Sequence, residues 1–235
     1  MAGLDTRQHQ LALEVQLRDD ATLENFLAAP AVQPLVLALQ QQIAAQGEPI
    51  IYLYGPGGTG KSHLLQAAYH LAGSRALYLP LAELVEYAPE DVLQGVETLE
   101  LVCLDDVHAV LGKDDWELAL FGLCNRARQC GCRLLVAADA APRALSVALA
   151  DLRSRLSWGI VYQLPQADDD AKDAILRFRA ARRGLTLSAE VSAYIVSRAP
   201  RSLESLLALL DTLDKASLAE QRALSIPFVK QTLRW

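Results

Sequence analysis

A glycine-rich loop between an apolar strand and a helix constrains the fold of this 235-residue chain more than any other feature. The loop fits the pattern G-x-x-x-x-G-K-[ST] at every fixed position. Its residues are Gly55, Pro56, Gly57, Gly58, Thr59, Gly60, Lys61 and Ser62. The apolar run Ile50–Tyr54 precedes the loop, and apolar periodicity predicts a helix over Ser62–Ala72. This order predicts an α/β fold with a phosphate site at the end of the first strand.

The residue types of the loop indicate how it would hold a phosphate. Glycines let backbone N–H groups converge on phosphate oxygens because no Cβ intervenes. Lys61 supplies a point charge for the terminal phosphates, and the Ser62 hydroxyl is a ligand for Mg²⁺. The helix that begins there adds its positive dipole end. The loop therefore predicts a bound nucleotide with Mg²⁺.

Two carboxylates follow the third predicted strand, Leu99–Leu104. Asp105 is predicted to hold Mg²⁺ through water, and Asp106 to orient or deprotonate an attacking water. A solvated pair of carboxylates at a strand end is the alternative. The glycine-rich loop favours the functional interpretation, because a nucleotide site of this class needs an acidic group on a neighbouring strand.

Strands alternate with helices as far as Leu164, and this order predicts a mostly parallel sheet covered on both faces. The other predicted strands are Ala76–Leu79, Arg133–Ala138 and Ile160–Leu164. The predicted helices around them are Ala31–Ala45, Leu81–Tyr87, Glu90–Gly95 and Asp114–Arg128. After Pro165 only helices are predicted, over Asp168–Arg182, Ser188–Ala199, Leu203–Ala219 and Pro227–Leu233. We therefore expect a leader at residues 1–22, an α/β core at 23–165 and a helical domain at 166–235.

The amino-acid composition argues against two classes of protein, disordered chains and proteins that bind duplex DNA directly. With 52% hydrophobic and 21% charged residues the chain is not disordered, and its net charge is −6. The excess of carboxylates lies in the first 165 residues, which argues against direct binding of duplex DNA. The first predicted helix after Pro165 carries four arginines, which are most simply a solvated face, with contact to a partner or DNA as the alternative: Arg177, Arg179, Arg182 and Arg183. The sequence lacks a signal peptide or membrane span, and four cysteines suit reduced thiols in the cytoplasm.

These motifs resemble those of the AAA+ family, and within it the DnaA-related proteins. The stretch Tyr54–Leu65 is similar to the Walker A motif of that family, and the pair Asp105-Asp106 to its Walker B motif. Glu24–Phe26 resembles the opening segment of the family. Phe121 and Asn125 also match, in the helix after the Walker B motif. The resemblance implies a P-loop NTPase core with a small all-helical lid that binds ADP or ATP with Mg²⁺, and it adds His63 to the nucleotide site, although packing is the simpler role for that residue.

The resemblance also implies three further functional residues. Asp139 occupies the sensor-1 position after the fourth strand, with a helix N-cap as the alternative. Arg155 aligns with the arginine finger, which acts on a nucleotide across a subunit interface; a surface arginine in a basic turn is the alternative. Arg201 occupies the sensor-2 position of the lid, with a solvated arginine at a helix start as the alternative.

The leader resembles the peptide motif by which some members of this family bind the DNA sliding clamp. Gln10 would anchor the peptide by hydrogen bonds while Leu11 and Leu13 enter an apolar pocket. An edge strand with alternating leucine and valine side chains is the alternative.

Residue Trp235 directly follows the predicted lid, so we expect no DNA-reading domain. The resemblance then implies a regulator that inactivates the initiator DnaA by promoting hydrolysis of its bound ATP. Its partners would be DnaA and the sliding clamp, with DNA reached only through the clamp, no membrane, and homo-oligomers as a further expectation. The alternative is an ATPase of the helicase-loader or DNA-positioning adaptor type that uses its own ATP turnover.

Overall fold

Five parallel strands form the central sheet of this computed structural model, which describes residues 17–44, 46–200 and 202–235. The strand order is β2-β3-β4-β1-β5. The strands are β1 (Ile50–Tyr54), β2 (Ala76–Pro80), β3 (Leu101–Asp105), β4 (Arg133–Ala138) and β5 (Ile160–Gln163). The α/β architecture with a parallel sheet is confirmed. β3 begins two residues later than predicted, because a 3-10 turn at Val96–Thr98 leads into it and Glu100 is exposed.

Helices cover both faces of the sheet. They are α1 (Gln33–Ile43), α2 (Lys61–Ala72), α3 (Leu81–Leu84), α4 (Pro89–Leu93), α5 (Asp114–Cys130) and α6 (Ala150–Leu156). Side chains alternate along each strand, so one face of β1 contributes Tyr52 to the core under α5. The other face contributes Ile51 and Leu53 to the core under α1 and α2. The sequence did not predict α6, and the segment that resembles the arginine-finger motif begins on it.

The register of the strands aligns the functional edge of the sheet. Tyr54 at the end of β1 pairs with Ala138 at the end of β4. Asp105 ends β3, whose neighbour on the far side from β2 is β4. Because carboxyl ends of parallel strands meet at one edge, the glycine-rich loop, the Asp105–Asp106 pair and Asp139 lie along the same edge.

The described part of the lid domain contains four helices. They are α7 (Asp169–Arg182), α8 (Ala189–Arg198), α9 (Leu203–Glu220) and α10 (Ile226–Leu233). Each begins where a polar side chain accepts a backbone N–H of the first turn, and these caps are Asp168, Ser188, Ser202 and Ser225. Leu176, Leu210 and Phe228 lie in a hydrophobic core of their own. Within the described residues, every helix is too short or too polar to cross a lipid bilayer.

Candidate nucleotide site

The glycine-rich loop adopts a backbone that other residues would strain. Gly58 and Gly60 have φ values of 76° and 93°, in the left-handed region that glycine tolerates. A Cβ on Gly60 would lie 2.9 Å from the Phe26 ring, and one on Gly55 would overlap the carbonyl oxygen of Leu164. Position 55 therefore requires glycine because the Leu164 carbonyl approaches it closely. Position 60 requires glycine because the Phe26 ring approaches it and because its backbone is left-handed.

Lys61 lies inside the curve of this loop at the first turn of α2. It exposes only 6% of its surface, and its ammonium group donates to the carbonyl oxygens of Gly55 at 2.7 Å and Pro56 at 3.0 Å. The Thr59 hydroxyl also donates to the Pro56 carbonyl at 3.0 Å. Ser62 is exposed at the next position of the helix. The loop thus surrounds a fixed positive charge, and a hydroxyl is available beside it.

The two carboxylates after β3 differ in environment. Asp105 exposes 1% of its surface; its Oδ2 accepts from the Tyr78 hydroxyl at 2.7 Å and its Oδ1 accepts from the Asp106 N–H at 3.0 Å. Asp106 has a left-handed backbone with φ of 50°. Burial, and then the charge of Asp105, raise the pKa of Asp106 above its usual range. The raised pKa makes Asp106 a better proton acceptor than an ordinary aspartate.

Charged groups from three strand ends meet around Asp106. Lys61 and His108 lower its pKa through their charges, while Asp139 raises it, so all three lie within electrostatic range. The Gly55 N–H donates to the Ala138 carbonyl at 3.4 Å, which joins the start of the loop to the end of β4. The structure thus brings together the loop, the Walker B pair and Asp139, and their roles in nucleotide chemistry stay predictions.

Asp139 projects beyond the end of β4. Its Oδ1 lies 3.9 Å from His108 Nδ1, and more than half of its side chain is exposed. The alternative of a helix N-cap is wrong, because residues 141–149 form turns and bends and the next helix begins at Ala150. A polar group is therefore available at the sensor-1 position.

The residues present fit a magnesium nucleotide. Carboxylate and hydroxyl oxygens are the ligands that Mg²⁺ prefers, and Asp105 and Ser62 supply one of each. The buried Lys61 ammonium is held by neutral carbonyl oxygens alone among the described residues, so its charge has no anionic hydrogen-bond partner. A phosphate group would complement that charge, and the bound nucleotide would supply the phosphoryl chemistry.

His63 contacts residues 17–26, which we call the opening segment of the core. Its Nε2 lies 2.8 Å from the Thr22 carbonyl oxygen, and its ring centroid is 5.8 Å from that of Phe26. Burial lowers the pKa of His63 despite the bond to Thr22, so the neutral ring donates to that oxygen. These contacts favour the packing role, and a contact with nucleotide stays a prediction.

One lid arginine is buried against the opening segment. Arg179 exposes 4% of its surface, donates to the Asn25 carbonyl at 3.1 Å and forms an ion pair with Asp20. Arg182 donates to the Asn25 side chain at 3.1 Å. The prediction of a solvated face is therefore wrong for Arg179. The sequence could not reveal this contact, because its partners lie more than 150 residues away along the chain.

Arg155, the predicted arginine finger, lies on α6 against α5. Its Nε donates to Asn125 Oδ1 at 2.9 Å, and its guanidinium lies 3.8 Å from the centroid of the Trp158 ring and 5.4 Å from that of Phe121. Trp158 is 41% exposed. The hydrogen bond and both ring contacts fix the guanidinium on α5 and Trp158 rather than at the glycine-rich loop. Arg201, Gln10, Leu11 and Leu13 lie outside the described residues.

Sequence patterns missed three buried polar residues that hold other groups in place. The Tyr78 hydroxyl donates to Asp105, and Gln66 accepts the Arg18 N–H. Glu117 of α5 accepts the Leu149 N–H just before α6. Each contacts groups at least five residues away in sequence. A useful signal exists for Tyr78 alone, because a tyrosine near the end of the strand next to β3 lies beside the Walker B edge.

The fold and the loop define an AAA+ P-loop nucleotide-binding protein. The chain belongs to the DnaA-related AAA+ family, since residues 17–163 match the model of the bacterial DnaA ATPase domain. Residues 169–233 match the model described as the lid domain of Hda, which confirms the resemblance to that DnaA-related protein.

Individual relatives agree with this assignment. An uncharacterized protein of Haemophilus influenzae is 44% identical over 228 residues, which cover 95% of this chain and 98% of that protein. Domain III of Thermotoga maritima DnaA is 22% identical with a TM-score of 0.76, over 94% of this chain and 98% of that one. Aquifex aeolicus DnaA bound to AMPPCP is 24% identical with a TM-score of 0.72, over 86% and 67% of the two chains. At these identities the two structures show the fold.

Proposed function

We propose that this protein inactivates the replication initiator DnaA. In this proposal it binds ADP or ATP with Mg²⁺, is held on the sliding clamp, and promotes hydrolysis of the ATP bound to DnaA. The resulting ADP form of DnaA would be unable to start a second round of replication. The combination of a DnaA-type core with an Hda-type lid supports this choice, because the two related proteins would meet through complementary AAA+ surfaces.

The position of Arg155 is the observation that carries the proposal. Its guanidinium is fixed by Asn125 and stacked on the exposed Trp158 ring, so it is preorganised at the surface. The planar guanidinium of an arginine can donate to several phosphoryl oxygens, over which charge spreads in the transition state. An arginine supplied in this way by a partner protein accelerates hydrolysis strongly. Arg155 would therefore act on the nucleotide of a bound partner.

The protein's own nucleotide has a different role in this proposal. Lys61 and Asp105 would hold ADP or ATP with Mg²⁺, and the bound nucleotide would set the orientation of lid and core. The intact Lys61, Asp105 and Asp106 are also compatible with the alternative, an ATPase of the helicase-loader or adaptor type that relies on its own turnover. Rapid steady-state ATP hydrolysis unaffected by clamp or initiator would favour that alternative.

The clamp would supply the location of the reaction. Gln10, Leu11 and Leu13 fit extended-peptide recognition, in which an amide anchors the backbone and leucines fill an apolar pocket. The acidic core agrees with access to DNA through the clamp, since it has no basic excess for phosphates. We place this reaction in the cytoplasm, with homo-oligomers as a resting form of the protein.

The decisive experiment measures hydrolysis of initiator-bound ATP in the presence of DNA-loaded clamp. The wild type is expected to accelerate hydrolysis, and Arg155→Ala to remove about 10³-fold or more of that acceleration. Arg153→Ala, a second arginine on α6, is the matched control and should retain activity within about twofold. Changing Gln10 and Leu11 together to alanine should abolish the part of the acceleration that the clamp provides. Unchanged hydrolysis on addition of the wild-type protein would refute the proposal.

A further inference from the structure

Two buried polar side chains, Gln66 and Tyr78, lie between the backbone of Arg18 and the carboxylate of Asp105. The backbone N–H of Arg18 donates to Gln66 Oε1 on α2 at 3.0 Å. The Gln66 side chain lies close enough to the Tyr78 hydroxyl on β2 to act on it, and it opposes the rise that burial and the charge of Asp105 cause in the pKa of Tyr78. That hydroxyl donates to Asp105 Oδ2 at 2.7 Å. Gln66, Tyr78 and Asp105 are all buried, so water does not compete freely for these bonds.

The direction of these bonds is fixed from both ends. A backbone N–H can only donate, so the Gln66 oxygen faces Arg18 and the amide NH₂ is turned away from that N–H group. An ionised carboxylate can only accept, so the single hydroxyl proton of Tyr78 points to Asp105. The orientations of the Gln66 oxygen and of the Tyr78 hydroxyl proton are therefore fixed.

These contacts also fix the plane of the Asp105 carboxylate. Tyr78 bonds to Oδ2, and the Asp106 N–H bonds to Oδ1 at 3.0 Å. Each carboxylate oxygen has a further lone pair for a metal-bound water. Mg²⁺ demands near-ideal octahedral geometry and keeps several waters, so the orientation of a carboxylate that binds through water affects affinity.

We propose that Tyr78 and Gln66 are positioning residues that orient Asp105 toward the Mg²⁺ of the bound nucleotide. The inference rests on the nucleotide and Mg²⁺ site of the proposed function and is independent of any action on DnaA. Tyr78 acts directly on the carboxylate, and Gln66 acts through Tyr78.

The test measures binding of a fluorescent ADP to the full chain while Mg²⁺ is titrated, and again in EDTA. Tyr78→Phe keeps the buried ring and removes the donor. We expect this variant to raise, by about tenfold, the Mg²⁺ concentration at which Mg²⁺ gives half of its maximal enhancement of ADP binding. This is the effect expected for loss of a hydrogen bond to a charged group. The ADP affinity in EDTA should change by less than about twofold.

A second variant tests whether the two residues act in series. Gln66→Leu should shift the Mg²⁺ midpoint in the same direction by a smaller factor. The double variant of Tyr78→Phe and Gln66→Leu should shift it no further than Tyr78→Phe alone, because Gln66 acts through the missing hydroxyl. Thermal melts verify folding, and Gln66→Leu provides the test if Tyr78→Phe does not fold.

Tyr52→Phe is the matched control. Tyr52 is also a buried tyrosine of the sheet, but its hydroxyl donates to the Ala140 carbonyl at 2.8 Å. Its Mg²⁺ midpoint should equal that of the wild type. Unshifted midpoints for both Tyr78→Phe and Gln66→Leu would overturn the inference, as would an equal loss of ADP affinity in EDTA. If ADP binding by the wild type did not depend on Mg²⁺, the Mg²⁺ site itself would be contradicted, and the inference with it.

Discussion

Gly60 connects the glycine-rich loop to α2 with a φ of 93°, beside the ring of Phe26. Gly60→Ala is expected to lower the free energy of unfolding by about 1–2 kcal/mol, because an L side chain is strained in this left-handed backbone. The added methyl group would also press on the Phe26 ring, whose centre is held beside His63. Urea unfolding followed by circular dichroism measures the difference.

Gly57→Ala is the matched control for this change. A Cβ at Gly57 would meet open space, and its backbone lies outside the left-handed region. Its free energy of unfolding should stay within about 0.5 kcal/mol of the wild type. Equal losses at positions 57 and 60 would contradict the assignment of strain to Gly60.

Single residues also show where prediction from sequence ends. The loop and the pair Asp105-Asp106 are local patterns, so the sequence predicts them and the structure brings them together. Tyr78 and Arg179 belong to no local pattern, and their importance comes from partners far away in the chain. Long-range polar contacts of this kind depend on the packed fold.

At the scale of elements, the sequence predicted every strand found in residues 17–44, 46–200 and 202–235, and it missed the helix α6. The strands were predictable because each is an apolar run followed by a turn or a polar group. The seven residues of α6 span about two turns, too few for a clear helical period. Its start is held by a carboxylate on another element, Glu117 of α5, which no local pattern indicates.

Glu117 joins two loops to α5. Its buried carboxylate accepts N–H groups of Gly112 at 2.8 Å, Ala148 at 3.1 Å and Leu149 at 2.7 Å. Burial alone would raise its pKa, but the three donors outweigh burial and hold the pKa of Glu117 below its ordinary value. Such a group stabilises the fold above its unfolded pKa, and this stability is lost as pH falls through the folded value.

Glu117→Gln is therefore expected to lower the free energy of unfolding by about 1–3 kcal/mol at pH 7. The difference from the wild type should shrink as the pH falls below 4.5, where the carboxylate of the unfolded wild-type chain takes up a proton before the folded one does. Denaturant titrations across this range measure it, with the exposed Glu86→Gln as control. A difference that stays constant with pH would assign the loss to packing rather than to the charge.

At the scale of the whole molecule, Arg179 joins the lid to the opening segment through Asn25 and Asp20. Arg179→Met keeps the length of the side chain and removes these bonds. We expect faster amide hydrogen exchange over residues 17–26, because that segment loses its buried polar partner. Exchange measured by mass spectrometry provides the readout.

Arg177→Met on the same helix is the control, since among the described residues Arg177 pairs only with Asp173, one turn away, and is half exposed. Its exchange over residues 17–26 should match the wild type. Equal acceleration by both variants would show that general loss of positive charge, rather than the contact of Arg179, controls the segment.

The hydrophobic core of the lid has a thermodynamic consequence. It shares no residue with the two cores on the faces of the sheet, whereas Arg179 and Arg182 join α7 to the opening segment by polar bonds. Heat-capacity changes follow the apolar surface that a transition exposes. A rotation of the lid as a unit would break polar bonds and expose little apolar surface, so it would take place with a small change in heat capacity. The enthalpy difference between lid orientations would then stay nearly constant with temperature.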